Sequence, residues 1–249
     1  MSTTLRKIAR IIEPQAVVEG AGVRLKRSIA TRTLDYLDPF LLLDHFASKN
    51  PADYKAGFPL HPHRGIETVT YLLAGAVRHK DTLGNAGEIG PGDVQWMTAG
   101  RGIMHEEMPQ VRPEGVAGFQ LWVNLPARLK MTAPRYQNIA ANEIPEIHRE
   151  ASTIRIIAGS LDEVTGPISG IAADPAYLDV LVSPRSSFIH QIARGHTAFA
   201  YVFEGEAGFG TEDQTLVTGP GLVVWSDGDG IEVKTAESPV RFLLVSGKP

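Results

Sequence analysis

The chain has 249 residues, a formal net charge of −4 at pH 7 and no cysteine. Its length suits two halves of about 100 to 150 residues each. Without cysteine there are no disulfides, thiolate metal sites or cysteine nucleophiles, so any bound metal must be held by nitrogen and oxygen. The negative charge and the scattered basic residues argue against direct nucleic-acid binding.

The N-terminal segment MSTTLRKIARIIEPQ carries basic residues but has no continuous apolar h-region and no small-residue cleavage site. No stretch approaches the roughly 20 apolar residues of a membrane span, since Asp44 and His45 interrupt the run FLLLDHF. We therefore expect a cytoplasmic protein that does not enter a membrane.

Short β-type segments alternate with turn signals such as Gly90-Pro91-Gly92-Asp93 and Asp227-Gly228-Asp229-Gly230. This rhythm predicts an all-β fold. Helical periodicity is nearly absent, although Pro126 to Thr132 could form a short helix between two halves.

The two halves resemble each other. The segment Tyr71 to Ala76 matches Tyr201 to Glu206, and the segment Gly90 to Trp96 matches Gly219 to Trp225 at nearly the same separation. Many-stranded units without helices protect their strand edges by closing as jelly rolls. The repeat predicts two barrels, with residues 1–135 in the first and residues 136–249 in the second, and a buried tryptophan in each.

Two groups of candidate metal ligands lie in the first half. In HPHRGIETVTYLL, the residues His61, His63 and Glu67 have equal parity, which on a strand directs them to one face. In MHEEMP, the residues His105 and Glu107 are two apart. Because inward side chains of adjacent barrel strands lie close together, the two H-x-[HE] pairs predict one four-ligand cage. Imidazole and carboxylate suit iron, manganese, nickel, copper or zinc, and four protein ligands leave two octahedral positions for water, dioxygen or substrate.

A plainer interpretation is that these histidines are structural and share a strand face by chance. The repeat favours the metal, because the ligand positions of the second half then hold Gln191, Ala193, Lys234 and Ala236. We therefore expect one metal ion, bound only in the first barrel. His190 and His196 lie outside this register and are expected to be ordinary core or surface residues.

Other residues have simpler expected roles. Met97, Met104, Phe58 and Phe119 are candidates for an apolar pocket wall, although methionine in a β core commonly fills gaps. The pair His79 and Asp81 resembles part of a catalytic triad, but no Gly-x-Ser-x-Gly elbow accompanies it. A hydrolase is not expected.

Three motifs together resemble the pirin family of the cupin superfamily: HPHRGIETVTYLL, GNAGEIGPGDVQWMTAGRGIMHEEMP and FQLWVNLP. The resemblance is dense from about residue 20 to 140 and weaker in the C-terminal half. It implies two stacked cupin barrels, each a jelly roll or double-stranded β-helix, with metal only in the first. In that family the metal, usually iron, is bound by residues matching His61, His63, His105 and Glu107, and Glu67 is then a candidate just outside them. We expect one divalent transition metal, with iron ahead of zinc, manganese, nickel, cobalt or copper.

The resemblance implies two alternative functions. Several bacterial members act as quercetin 2,3-dioxygenases, which predicts an oxidoreductase acting on a small aromatic substrate such as a flavonol, with Glu107 or Glu67 as the base. Animal members are nuclear iron-binding proteins that modulate transcription-factor binding, which predicts a redox sensor with a regulatory protein partner. A purely structural metal is the third hypothesis. We rank the enzyme first, because no nuclear localisation cluster is present, and expect a monomer.

Overall fold

The computed structural model describes residues 4–210 and 214–249. Strands make up 59% of it and helix 4%, which confirms the predicted all-β fold. The strands are β1 (Ile8–Ile12), β2 (Gln15–Glu19), β3 (Val23–Ile29), β4 (Phe40–Ser48), β5 (Phe58–His63), β6 (Ile66–Ala74), β7 (Ala76–Asp81), β8 (Ala86–Ile89), β9 (Val94–Thr98), β10 (Ile103–Gln110), β11 (Val116–Asn124), β12 (Arg135–Ile139), β13 (Glu146–Arg149), β14 (Ser152–Ala158), β15 (Ser160–Leu161), β16 (Val164–Thr165), β17 (Ala176–Val182), β18 (Ser187–Gln191), β19 (Thr197–Phe209), β20 (Thr215–Thr218), β21 (Gly221–Trp225), β22 (Gly230–Lys234) and β23 (Val240–Gly247).

Single-turn 3-10 helices interrupt the strands at Pro51–Asp53, Ala127–Leu129 and Ala141–Glu143. The second of these lies inside the predicted helix from Pro126 to Thr132. Among the described residues, no helix is long and apolar enough to span a membrane.

The chain divides into two units, which we call the first barrel (Gln15–Glu143) and the second barrel (Met1–Pro14 with Ile144–Pro249). In the first barrel, a seven-stranded antiparallel sheet has the order β12-β9-β6-β11-β4-β3-β2 and a four-stranded sheet has the order β5-β10-β7-β8. The two sheets face each other, since the Thr70 hydroxyl of β6 hydrogen bonds the Glu107 carboxylate of β10.

The second barrel repeats this topology, as the sequence repeat predicts. β6 lies between β9 and β11, and β19 likewise lies between β21 and β23. The series β18-β22-β19-β20 reproduces β5-β10-β7-β8, with the long strand β19 taking the places of β6 and β7. Both matched tryptophans are buried, but Trp96 pairs with Val69 whereas Val224, not Trp225, pairs with Phe199. The pairing of β21 is therefore shifted by one residue relative to β9.

The division of the chain differs from the predicted boundary between residues 135 and 136 in two respects. That boundary would cut β12, which pairs along its length with β9 of the first barrel. In addition, the N-terminal strand β1 pairs with β21 and so belongs to the second barrel. The position of a strand in the sequence does not show to which sheet it belongs, because this depends on the strand with which it forms hydrogen bonds. The sequence therefore did not reveal that β1 belongs to the second barrel.

Arg6 anchors the N-terminal segment to the second barrel. Its side chain is 1% exposed, and its guanidinium donates to the carbonyl oxygens of His196 at 2.7 Å and Ala193 at 2.8 Å. A third bond reaches the carbonyl of Ser226 at 3.3 Å. One side chain therefore satisfies three backbone acceptors.

We expect Arg6→Met to lower the free energy of unfolding by about 2 to 4 kcal/mol, because the half-buried carbonyl groups of His196 and Ser226 lose a charged donor. The neighbouring Lys7 is exposed, so Lys7→Met should change stability by no more than about 0.5 kcal/mol. Urea unfolding of both variants measures the difference. Equal stability of the two variants would contradict the anchoring role.

Candidate metal centre

Three imidazoles converge inside the first barrel. His61 Nε2 lies 3.1 Å from His63 Nε2 and 3.0 Å from His105 Nε2. The ligand nitrogens of all three lie within 4.8 Å of one another. Nitrogens bound to one metal at about 2.1 Å and at right angles would be about 3.0 Å apart. The donor set therefore fits a transition-metal ion.

Antiparallel pairing brings these side chains together. β5 pairs with β10 such that His105 lies directly opposite His61, and Ile103 lies opposite His63. The prolines Pro59 and Pro62 are tolerated because β5 is the edge strand of its sheet, where a missing N–H breaks no interior ladder. The alternation in HPH then directs both histidines inward, as the parity argument predicts.

The histidines are prepared to act as ligands. His61 Nδ1 lies 2.9 Å from the carbonyl of Pro59, which can only accept, so Nδ1 carries a hydrogen and, in the neutral ring, the lone pair lies on Nε2. Burial lowers the pKa of His63 to about 4 and the pKa of His105 to about 3, helped by the neighbouring imidazoles. At neutral pH both rings are therefore uncharged, which is the form that binds a metal.

Glu107 lies beside the three histidines but is not one of the converging group. Its Oε1 accepts a 2.8 Å hydrogen bond from the Thr70 hydroxyl, and its charge acts on His63. A β-bulge between His105 and Glu107 shifts the register with β5, so Glu107 faces Phe58. The Thr70 hydroxyl oxygen is also 2.8 Å from Gln120 Oε1. A hydroxyl has one hydrogen and a carboxylate has none to give, so Thr70 cannot donate to both oxygens. We therefore assign the Gln120 amide in the reversed orientation, in which its NH2 donates to Thr70 while Thr70 donates to Glu107.

The structure does not place Glu67 at this site. Glu67 and Thr70 are three residues apart on β6 and so face opposite sides of the sheet. Glu67 is 2% exposed and accepts a 2.6 Å hydrogen bond from the Thr98 hydroxyl. Burial raises its pKa, and Thr98 and Trp96 offset part of the rise. The parity argument fails because the chain turns at Gly65, which has φ of 70°, between the strand of His61 and the strand of Glu67.

His79 and Asp81, set aside as an incomplete triad, lie directly against the histidines. His105 is the cross-strand partner of Asp81, and Glu107 is the partner of His79. The His79 and His105 rings are 5.2 Å apart, and His79 Nε2 is 3.5 Å from Asp81 Oδ2. Burial would raise the pKa of Asp81, but hydrogen bonds from Asn85 and from the Leu83 backbone outweigh burial and hold it below its ordinary value. Because His79 and Asp81 are two residues apart on one strand, the sequence could have indicated that both face the interior of the barrel.

A cavity of about 630 Å³ opens beside the histidines, within the size range of small-molecule sites. His61, His63 and Glu107 lie at one side of it. Its apolar wall includes the predicted Phe58 and also Leu42, Phe46 and Trp122. The other predicted wall residues lie elsewhere: Phe119 stacks on His45, Met97 packs with Ile103 and Tyr136, and Met104 is exposed.

The second barrel has no equivalent cluster among its described residues. When Tyr71 is aligned with Tyr201, His79 corresponds to Phe209. His79 pairs with Glu107 and Phe209 pairs with Val233, so Glu107 corresponds to Val233. Following the ladders further, the four positions hold His190, Ile192, Ile231 and Val233, not the predicted Gln191, Ala193, Lys234 and Ala236. The prediction missed Ile231 and Val233 because the chain from Trp225 into β22 is shorter than the chain from Trp96 into β10. It missed His190 and Ile192 because the chain from His190 in β18 to Tyr201 is one residue longer than the chain from His61 in β5 to Tyr71. One histidine in an apolar core remains.

Fold and site thus define a bicupin with a histidine cluster in its first barrel. The family model described as Pirin matches residues 22–123, and the model described as Pirin C-terminal cupin domain matches residues 177–249. The chain belongs to the pirin family.

Relatives match along almost the whole chain. The Pirin-like protein of Caulobacter vibrioides is 43% identical over 247 residues, which cover 98% of this chain and 88% of that protein. Pirin of Homo sapiens is 39% identical over 250 residues, covering 98% and 83%. A crystal structure of quercetin 2,3-dioxygenase from Acinetobacter baumannii has a TM-score of 0.87 and 33% identity, covering 99% of this chain and 88% of that chain.

The two carboxylates can be tested separately. We expect Glu67→Gln to leave metal affinity unchanged, because its side chain faces away from the histidines. Glu107→Gln should weaken metal binding by about tenfold or more, since the amide lacks the negative charge beside His63. Elemental analysis and competition with a chelator measure both. Loss of metal from the Glu67→Gln variant would contradict the placement described above.

Acid should destabilise the metal-free protein through its buried histidines. Burial lowers the pKa of His190 to about 4, against about 6.5 in the unfolded chain. Between these values only the unfolded chain binds this proton, so stability falls as pH falls, by about 1.4 kcal/mol per pH unit per histidine.

We expect His190→Leu to make the pH dependence of urea unfolding shallower between about pH 6.5 and 4. His148→Leu is the control, because the His148 side chain is 71% exposed. If both variants keep the slope of the unmodified protein, His190 does not stay neutral in the folded state.

Proposed function

We propose that this chain is a metal-dependent dioxygenase that acts on quercetin or a related flavonol. The observation that carries the proposal is the convergence of three histidine side chains, of which His61 and His63 lie at the wall of a cavity of about 630 Å³ with a largely apolar lining. The similarity to a quercetin 2,3-dioxygenase of known structure supports the same reaction class.

In this proposal His61, His63 and His105 hold the metal, with Glu107 as the fourth ligand and iron as the first expectation. The bound ion would supply Lewis acidity and a place for dioxygen next to the substrate. Thr70 fixes one oxygen of Glu107, which leaves its second oxygen available to the metal or to a substrate proton. A carboxylate bound to a dication is a weak base, so a role for Glu107 in proton removal requires it to leave the metal. The apolar wall excludes water and packs the aromatic rings.

The test starts from metal-free protein loaded separately with iron, nickel, manganese, cobalt, copper or zinc. With at least one redox-active metal we expect oxygen uptake, loss of flavonol absorbance and release of carbon monoxide across a flavonoid panel. His61→Ala should lose both metal and turnover, whereas the exposed His148→Ala should keep both. Absence of turnover with every metal and every flavonoid would refute the enzyme. Metal-dependent binding of a protein partner would then favour the redox sensor.

A further inference from the structure

A continuous row of polar side chains crosses the inner face of the first barrel. Each residue lies directly opposite the next on neighbouring strands, from β3 through β4, β11 and β6 to β9. We call this set the polar row: Arg27, Asp44, Gln120, Thr70 and Gln95. Three of its members, Asp44, Thr70 and Gln95, are at most 4% exposed.

The second barrel shows that the fold does not require such a row. Thr70 precedes Tyr71, and Ala200 precedes the matched Tyr201, so Thr70 corresponds to Ala200. The cross-strand partners of Ala200, followed outward from strand to strand, then give the residues that correspond to the rest of the row. The corresponding residues are Ile156, Leu178, Leu244, Ala200 and Val223. All five are fully buried and belong to one hydrophobic core. Two equivalent barrels thus differ along one line, where the first holds polar groups and the second holds aliphatic groups.

Burying polar groups costs free energy unless hydrogen bonds replace those made to water. Arg27 Nε and Nη2 donate to the two oxygens of Asp44 at 2.8 Å each, and Nη1 donates to Glu19 at 2.7 Å. These bonds restrain the guanidinium but use only three of its five N–H donors. Burial still raises the pKa of Asp44, and Arg27 offsets part of that rise.

Three members of the polar row form the floor of the cavity. Arg27, Asp44 and Gln120 line the same cavity as His61, His63 and Glu107. Because Thr70 donates its single hydrogen to Glu107, we assign the Gln120 NH2 to Thr70, which leaves the Gln120 carbonyl oxygen for the cavity. The floor therefore offers N–H donors at Arg27 and an acceptor at Gln120. From Arg27 to Thr70 is three strand spacings, or about 14 Å, which is comparable to a three-ring flavonoid.

We propose that Arg27 and Gln120 are specificity-determining residues that recognise hydroxyl groups on the part of an aromatic ligand remote from the metal. The inference rests on the proposed function and names its substrate class: flat flavonols that chelate through adjacent oxygens at the histidines and carry hydroxyl groups on the pendant ring. A phenolic hydroxyl can accept from Arg27 or donate to the Gln120 carbonyl, so the two residues can each bind a different hydroxyl group. A ligand without such hydroxyls leaves these groups desolvated and unpaired, which weakens its binding.

The experiment compares two flavonols, one with two hydroxyl groups on the pendant ring and one with none. Binding to zinc-loaded protein is measured by calorimetry, since zinc does not change oxidation state and turnover is avoided. We expect the protein to bind the hydroxylated flavonol about tenfold tighter, the effect of one net hydrogen bond. Arg27→Lys and Gln120→Met should each reduce this ratio to within about twofold, with little change for the unsubstituted flavonol.

Arg24→Lys is the matched control, because Arg24 lies on the same strand and its side chain is 72% exposed. It should keep the full ratio. The two test variants report independently if one fails to fold, since Lys retains the charge opposite Asp44 and Met approximates the volume of Gln. Equal affinity for both flavonols in the unmodified protein, or an unchanged ratio in the variants, would overturn the inference while leaving the dioxygenase intact. If the zinc-loaded protein binds neither flavonol, the inference is overturned, whereas the oxygen-uptake assay with the redox-active metals decides the proposed function separately.

Discussion

The antiparallel pairing of β5 with β10 is the constraint on which the site depends. It sets His61 directly opposite His105, and the alternation of a strand then brings His63 to the same face. The ladder also fixes the position of Glu107 through a bulge, so the carboxylate meets Thr70 on the facing sheet. A shift of one residue in this pairing would turn the ligands outward, because successive strand residues face opposite sides.

Some of this could be read from the sequence because it depends only on local spacing. The HPH alternation, the pair His105 and Glu107, and the turn-rich all-β rhythm each involve a few adjacent residues. The same reasoning failed for Glu67, where parity was carried through a turn at Gly65 as though one strand continued. Equal parity has meaning only within one uninterrupted strand, and a glycine that follows two candidate ligands is a warning of a break.

The remaining features depend on pairing between distant strands. The strand pairing of the second barrel decides which of its residues replace the ligands. Connections of different length before Tyr201 and after Trp225 moved these residues away from the positions that the repeat indicated. The polar row escapes sequence analysis for the same reason, since Arg27, Asp44 and Gln120 share no motif and meet only across three strands. Arg27 looked like one of several scattered basic residues.

The single hydrogen of the Thr70 hydroxyl has a wider consequence. Committed to Glu107, it leaves Gln120 one satisfactory orientation, with the amide nitrogen inward and the oxygen toward the cavity. A glutamine without such a neighbour can present either its NH2 or its carbonyl oxygen to a ligand. Here Glu107, on the opposite sheet, fixes the amide through Thr70, so the ligand meets a hydrogen-bond acceptor at this position. Glu107, at the metal end of the site, thus fixes through Thr70 which end of the Gln120 amide a bound ligand meets.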